Sequence, residues 1–147
     1  MSRRRAFTVV ELIVVVLILG ILAAIAAPKL LATSGKATDN GLRHTLYVVR
    51  DAIDLYRMTN QGKYPGADGS QVTFKNDLKP YIRGDFPVCP VGPAQNDQVK
   101  MLGGTTLAAA TTDTPTCGWK YNYETGEFAV NWHHVTATDP SVYYDQL

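Results

Sequence analysis

The chain has 147 residues, 46% of them hydrophobic, and a formal net charge of +1 at pH 7. This length allows one modest globular domain, and the nearly neutral charge excludes the basic excess by which nucleic-acid-binding proteins attract phosphates. The hydrophobic residues are unevenly distributed, because residues 12–27 form an unbroken run of 16 residues without a polar side chain.

Three arginines at positions 3–5 precede this apolar run. Because arginines that flank a membrane helix stay on the cytoplasmic side, they predict a cytoplasmic N-terminus and place everything beyond Pro28 across the membrane. Residues 7–27 would extend roughly 31 Å as an α-helix, close to the ~30 Å hydrocarbon core of a bilayer. The segment is therefore predicted to span the membrane once.

A cleaved secretory signal peptide and an ordinary signal anchor would also explain the arginines and the hydrophobicity. The small residues 23–27 could supply a signal-peptidase site, although Pro28 directly after them argues against cleavage there. Neither alternative explains Glu11, whose carboxylate lies inside the apolar segment and is costly to insert into hydrocarbon. This cost favours a specialised segment over a generic anchor, because intramembrane charges usually have a partner and a function.

The short basic leader, the sequence FTVVELI from position 7 and the long apolar helix resemble the class III signal of type IV pilins and pseudopilins. The resemblance implies that a prepilin peptidase cuts between Ala6 and Phe7 on the cytoplasmic face and N-methylates Phe7, so that residues 1–6 are a leader peptide. The family usually has Gly before the cut, whereas this chain has Ala6, a small residue that should still fit the peptidase. With Phe7 as the first mature residue, Glu11 and Pro28 fall where the family has them.

Glu11 is the predicted determinant of assembly register. In lipid its isolated carboxyl group would tend to take up a proton, whereas in a filament core the amine of Phe7 on a neighbouring subunit could pair with it. The resemblance implies this pairing. We therefore expect a homo-oligomeric helical filament, built through the transmembrane and polymerisation helix of residues 7–28.

Pro28 follows the apolar run, and a helical pattern resumes after it. A proline inside a helix removes one backbone hydrogen bond and kinks the helix, whereas Pro28 could also simply end the membrane segment. The family places a kink here, which favours the first interpretation. Residues 29–62 are then an amphipathic continuation of the helix, because apolar residues recur at spacings of 4, 3, 4 and 3: Leu42, Leu46, Val49, Ile53 and Tyr56.

The long helix is predicted to end at residues 60–62, where Gly62 supplies a stop signal, and a loop begins at residues 64–66. Residues 55–65 resemble the segment that ends the long helix of major pseudopilins. Together with the N-terminal signal, this second resemblance favours the major pseudopilin of type II secretion systems within the pilin-like group.

Residues 63–147 are predicted to form a small periplasmic, β-rich domain with a thin core. Aromatic residues alternate with polar ones on both sides of a turn at residues 124–126, which predicts a β-hairpin with one aromatic-rich face. This face could stack a sugar, but a core position against the amphipathic helix is favoured, since one face of a hairpin must be buried. The predicted fold class is thus α+β and pilin-like: a long N-terminal helix with a membrane-embedded apolar half and an amphipathic half packed on a small antiparallel β-sheet.

Three segments of this domain carry weaker signals. Residues 77–82 are predicted to form a short helical turn, and the three prolines within residues 85–93 predict an extended but poorly paired stretch. Residues 103–116 are low in complexity and are predicted to form an exposed loop.

Cys89 and Cys117 are the two cysteines of the chain, with 27 residues between them. An even number of cysteines in a domain delivered to an oxidising compartment predicts a disulfide, which would contribute about 3 to 4 kcal/mol for a loop of this size. The two thiols could instead be metal ligands together with the nearby His133 and His134, but their spacing matches no zinc pattern. The disulfide is therefore the favoured prediction.

The sequence contains no nucleophile elbow, glycine-rich phosphate loop or paired-carboxylate motif, so we expect no enzymatic activity. The resemblance to major pseudopilins implies a calcium site in the C-terminal loop. Asp139, Ser141 and Asp145 supply oxygen atoms in this region, although the loop pattern of the family is not reproduced and calcium takes six or more oxygen ligands. Calcium is thus a possible cofactor, and no other is expected.

The resemblance implies a structural subunit of a type II secretion pseudopilus, which helps drive protein export across the outer membrane. Its expected partners are further copies of the chain, minor pseudopilins, a prepilin peptidase and an inner-membrane assembly platform. The subunit would be stored in the bacterial inner membrane as a single-pass protein, with a cytoplasmic N-terminus and a periplasmic C-terminal domain, and be extracted into a periplasmic filament. The alternatives are a type IV pilus subunit for adhesion, motility or DNA uptake, and a signal-anchored periplasmic binding domain.

Overall fold

The computed structural model describes residues 8–108 and 115–147, without the side chains of residues 31 and 32. The leader peptide and the predicted cleavage and methylation pair, Ala6 and Phe7, lie outside the described residues. The elements are, in chain order, helix α1 (Val9–Thr59), helix α2 (Gln71–Leu78), strands β1 (Val99–Leu102), β2 (Trp119–Asn122) and β3 (Phe128–Val130), and a short 3-10 helix (Tyr144–Gln146). The chain forms two compact units that divide between Gly35 and Lys36.

In the N-terminal unit, the part of α1 from Val9 to Leu30 buries none of its large apolar side chains. Fourteen of them are between 47% and 73% exposed. They lie on every side of the helix, because the sequence there is apolar without periodicity.

In the C-terminal unit, α1 has the one-sided burial that the sequence predicts. Leu42, Leu46, Val49 and Ile53 are buried, and Tyr56 packs against the same cluster. The helix ends where its stop signal was predicted: Gln61 adopts a positive φ of 57°, and Gly62 N donates to Arg57 O at 2.9 Å. This pattern is a Schellman motif, which satisfies carbonyl groups of the last helical turn.

The sheet is mixed rather than antiparallel. The predicted hairpin is confirmed, because β2 pairs antiparallel with β3, with Trp119 opposite Val130 and Tyr121 opposite Phe128. However, β1, which was not predicted, pairs parallel with β2, so the expectation of an antiparallel sheet is wrong for this edge. The long connection after β1 explains the difference, because it carries the chain back to the start of β2 and parallel pairing requires a connection of this length.

Both faces of the hairpin are buried, whereas the sequence predicted one. Trp119, Tyr121 and Phe128 belong to the same hydrophobic core as the apolar face of α1, which confirms their predicted core position over the sugar-stacking alternative. Phe74 of α2 joins them, with its ring centroid 4.2 Å from that of Tyr121. The opposite face carries Lys120 and Ala129, which are buried as well.

The less regular segments largely follow their predictions. Helix α2 begins earlier than the predicted helical turn and ends at Leu78, and in the turns that follow it Ile82 N donates to Leu78 O at 3.1 Å. Residues 86–90 lie outside the strands, and so do residues 103–108, 115 and 116, the described part of the predicted loop.

Candidate assembly helix and C-terminal segment

The first turn of α1 is closed by Thr8 and Glu11. Thr8 N and Thr8 Oγ1 each donate to the Glu11 carboxylate at 2.9 Å, and Glu11 N donates to Thr8 Oγ1 at 3.2 Å. This reciprocal pattern is a capping box, in which two otherwise unpaired donors at the start of a helix find partners.

The capping box changes the sequence interpretation of Glu11. From the sequence its carboxylate is expected to be isolated in lipid, whereas the structure gives it two donors from its own chain. The spacing of a threonine and a glutamate three residues apart, directly before an apolar run, is a signal from which this cap could have been predicted. Whether Glu11 sets the register of a filament stays a prediction.

Helix α1 is long and apolar enough to cross a membrane, judged by length and composition. None of its most apolar 18-residue window is buried. A core helix of a soluble protein would bury this window, so the exposed side chains need another apolar environment. Lipid and the same helix of further subunits are two such environments.

Pro28 lies inside α1, and the helix continues beyond it. Because proline has no N–H group, the carbonyl group of Ala24 lacks its usual donor one turn later. The continuation agrees with an amphipathic second half, and the kink at Pro28 stays a prediction.

The predicted disulfide is not formed in the structure, where Cys89 and Cys117 are free thiols. Asn96 nevertheless links the segments that carry the two cysteines. Its main-chain oxygen accepts from Cys89 N at 2.9 Å, and its Oδ1 accepts from Gly118 N at 2.9 Å. A Cβ atom added to Gly118 would lie 2.6 Å from Cys89 Cβ. Burial raises the pKa of the Cys89 thiol to about 11, and a bridge to Cys117 stays a prediction.

The two carboxylates of the predicted calcium site have separate partners in the structure. Asp139 Oδ1 accepts from Ser141 N and Ser141 Oγ at 2.9 and 2.6 Å. The carboxylate of Asp145 is buried instead against Lys120, at 3.5 Å, and His133, at 3.0 Å. Within residues 8–108 and 115–147, no group of three or more His, Cys, Asp or Glu side chains is arranged to hold a metal ion.

Two polar residues of α1 that the sequence did not predict anchor the C-terminal segment. Asp39, in the middle of α1, is fully buried and accepts from Thr138 N, Thr138 Oγ1 and Tyr144 Oη at 2.7, 2.6 and 2.6 Å. Arg50 donates to Phe128 O, at 3.0 Å from Nε and 2.7 Å from Nη2, and to the main-chain oxygen of Leu147. Neither residue stands out in the sequence, because a polar residue beside an apolar helix stripe is ordinarily solvated.

Residues 1–27 match the protein family described as "Prokaryotic N-terminal methylation motif". The chain is 37% identical over 65 residues to the type II secretion system core protein G of Klebsiella pneumoniae, a match that covers 44% of this chain and 46% of that protein. It is 27% identical over 135 residues to the protein of the same name from Klebsiella michiganensis, which covers 79% of this chain and 93% of that protein.

The core protein G of Vibrio cholerae is 37% identical over 68 residues, 46% of each chain. The chain thus spans about half the length of two of these relatives and nearly all of the third. No solved structure gives a significant match. The N-terminal methylation motif and the pilin-like α+β fold agree with these similarities, and the chain is similar to the type II secretion system core protein G.

Proposed function

We propose that this chain is a structural, non-enzymatic subunit of a type II secretion pseudopilus that assembles through its N-terminal helix and helps drive protein export across the outer membrane. The observation that carries the proposal is the contrast within α1. Its first part, from Val9 to Leu30, exposes every large apolar side chain, whereas the unit from Lys36 onward has a complete core of its own. A segment that its own fold does not need is available for lipid and for other subunits.

The proposed location follows from the same segment. The arginines at positions 3–5 favour a cytoplasmic N-terminus, which places the folded unit on the periplasmic side. The free thiols of Cys89 and Cys117 would meet an oxidising compartment there. The subunit is stored as a single-pass protein of the inner membrane and moves from there into a periplasmic filament.

Processing by a prepilin peptidase is supported by the methylation motif over residues 1–27. Cleavage after Ala6 and methylation of Phe7 would remove the three arginines and leave Thr8 and Glu11 next to the new N-terminus. The further partners of the proposal are minor pseudopilins and an inner-membrane assembly platform.

The capping box suggests how Glu11 has a partner both in a single subunit stored in lipid and in a filament. In a single subunit its carboxylate is satisfied by Thr8, so storage in lipid does not leave the helix start unpaired. In a filament the amine of Phe7 from a neighbouring subunit would bring a full positive charge to the same carboxylate, a stronger partner than a neutral hydroxyl group. The exchange of partners would favour one register of adjacent helices.

The first experiment measures the N-terminal mass of the protein from native membranes, with and without its prepilin peptidase. A mature chain that begins at N-methylated Phe7 is the expected result. A chain that retains Met1, or that begins near Pro28, would replace the proposal with a signal-anchored or secreted domain.

The second experiment counts filaments and secreted protein in cells that produce Glu11→Leu, with Glu124→Gln in the exposed turn of the hairpin as the control. Glu11→Leu is expected to insert into the membrane and to lose filaments and secretion, and Glu124→Gln to retain both. Normal filaments from Glu11→Leu would refute the role of Glu11. Surface pili in cells that produce the wild-type chain, together with unimpaired secretion in cells that produce Glu11→Leu, would instead favour the type IV pilus alternative.

A further inference from the structure

We infer that an internal cation, the ammonium group of Lys120, holds the C-terminal segment of this subunit where the resemblance implies calcium, so that the folded unit needs no calcium. The inference concerns the stability of the unit itself, and it holds whichever filament the chain builds. It rests on the ion pair that buries Asp145, one of the three residues predicted to bind calcium.

The pair lies inside the unit. The Lys120 and Asp145 side chains are only 3% and 5% exposed, and Lys120 Nζ lies 3.5 Å from Asp145 Oδ2. His133 Nδ1 lies 3.0 Å from the other carboxylate oxygen, Asp145 Oδ1. Lys120 Nζ also donates to Ala108 O at 3.1 Å. Both oxygens of the carboxylate therefore have a partner from the protein.

The sheet explains how a lysine reaches this position. Lys120 lies in β2, the central strand, and pairs with Ala129 of β3 in the antiparallel register. The 3-10 helix that carries Asp145 packs against β3. Because the side chain of Ala129 is small, the longer side chain of Lys120 can cross over its neighbouring strand to Asp145.

The charges around the pair fit a lysine better than a divalent ion. Calcium takes six to eight oxygen ligands, and a second cation beside a buried ammonium group would be repelled. Asp139, the other predicted carboxylate, is occupied by the main-chain and side-chain groups of Ser141.

The test follows thermal unfolding of the full chain in detergent micelles by circular dichroism, in calcium chloride and in a calcium chelator. For the wild type we expect one melting temperature in both buffers. A rise of several degrees in calcium would overturn the inference, because it would show that the ion binds the folded unit despite Lys120.

Variants of the ion pair test whether Lys120 stabilises the folded unit. Lys120→Met is expected to lower the melting temperature by many degrees, because it leaves a buried carboxylate with one partner fewer. Lys75→Met is the matched control, since it breaks a shorter ion pair, Lys75 to Asp97 at 2.6 Å, whose side chains are 24% and 45% exposed. It should change the melting temperature only slightly.

The double variant Lys120→Met with Asp145→Asn removes both charges and should recover a large part of the loss. This arm separates the ion pair from the packing of the lysine chain, because the packing is equally lost in the single and double variants. An equal loss in Lys120→Met and Lys75→Met, or no recovery in the double variant, would overturn the inference.

Discussion

Replacing Asp39 with alanine tests the anchor between α1 and the C-terminal segment. The carboxylate accepts from two groups of Thr138 and from the hydroxyl group of Tyr144, and the position is fully buried. Thr138 is exposed, so its N–H and hydroxyl groups can find water after the substitution. Tyr144 is buried, so its hydroxyl group would lose its partner without compensation.

The expected cost follows from these two cases. A buried donor without a partner costs about 1 to 3 kcal/mol, and the charge-assisted bonds to Thr138 add about 1 kcal/mol. We therefore expect Asp39→Ala to lower the free energy of unfolding by about 2 to 4 kcal/mol. Asp39→Asn should cost less, because its amide oxygen still accepts one bond while its NH₂ group faces a donor.

The assay is urea unfolding of the full chain in detergent micelles, monitored by tryptophan fluorescence. Asp68→Ala is the matched control, because the exposed Asp68 carboxylate accepts similar bonds, from Ser70 N at 3.0 Å and Thr73 Oγ1 at 2.7 Å. Asp68→Ala should cost a small fraction of the Asp39→Ala loss. Equal losses in the two variants would refute the expectation that burial makes the hydrogen bonds of Asp39 contribute more to the free energy of unfolding.

The pH dependence gives an independent test of the same anchor. Burial acts to raise the pKa of Asp39, but the hydrogen bonds from Thr138 and Tyr144 outweigh it, so the pKa lies below its ordinary value. The contribution of Asp39 is therefore complete above the unfolded pKa of about 3.9 and is lost as the pH falls through the lower, folded pKa. Asp39→Asn should remove this part of the acid destabilisation, and an unchanged acid profile would contradict it.

Three further predictions concern the C-terminal unit. Gly126→Ala should cost about 2 to 4 kcal/mol of unfolding free energy, because Gly126 has φ +80° and an added Cβ would lie 2.2 Å from Tyr64 Cε1. Gly84→Ala is the control, because Gly84 has φ +91° but lies in open space, so its loss measures the backbone strain alone. Arg50→Met should cost about 2 to 3 kcal/mol of unfolding free energy, because it removes the donors to Phe128 O. The control is Arg57→Met, since the Arg57 guanidinium lies over the Tyr64 ring. A loss in Arg50→Met no larger than that in Arg57→Met would contradict the prediction. In reduced, folded protein, half-buried Cys117 should be alkylated before buried Cys89, because a pKa of about 11 keeps the Cys89 thiol protonated. Mass spectrometry of timed samples checks the order of alkylation, and equal rates at the two thiols would refute it.

Local patterns predicted most of the helical and hairpin structure. The 3-4 spacing of apolar residues in α1 is sufficient to place its buried face, and Gly62 marks its end within a few residues. The hairpin was equally readable, because alternation on both sides of a turn places both strands. These features depend on neighbours in sequence, so sequence alone contains them.

Features that depend on distant residues were not predictable in this way. Strand β1 is only four residues long, and its parallel partner begins 20 residues after it starts. Lys120 alternates with aromatic residues and therefore reads as a solvated position, but the 3-10 helix covers that face and Asp145 neutralises the charge. The same long-range packing gives Asp39 and Arg50 their partners, which lie 78 to 105 residues away.

The proposed role of Glu11 in assembly follows from the composition of the N-terminal part of α1. Its fourteen apolar side chains are 47% to 73% exposed and would each gain about 1 to 2 kcal/mol on full burial, which would favour insertion into lipid or association with other subunits. They cannot choose a rotation or a register, because the segment is apolar on every side and slides past an apolar neighbour at little cost. Within residues 9–28, Glu11 is the one charged side chain, and its cap with Thr8 distinguishes one end and one face of this segment. A charge that reaches Glu11 from a neighbouring chain would therefore select a single alignment from many that the hydrophobic side chains accept equally.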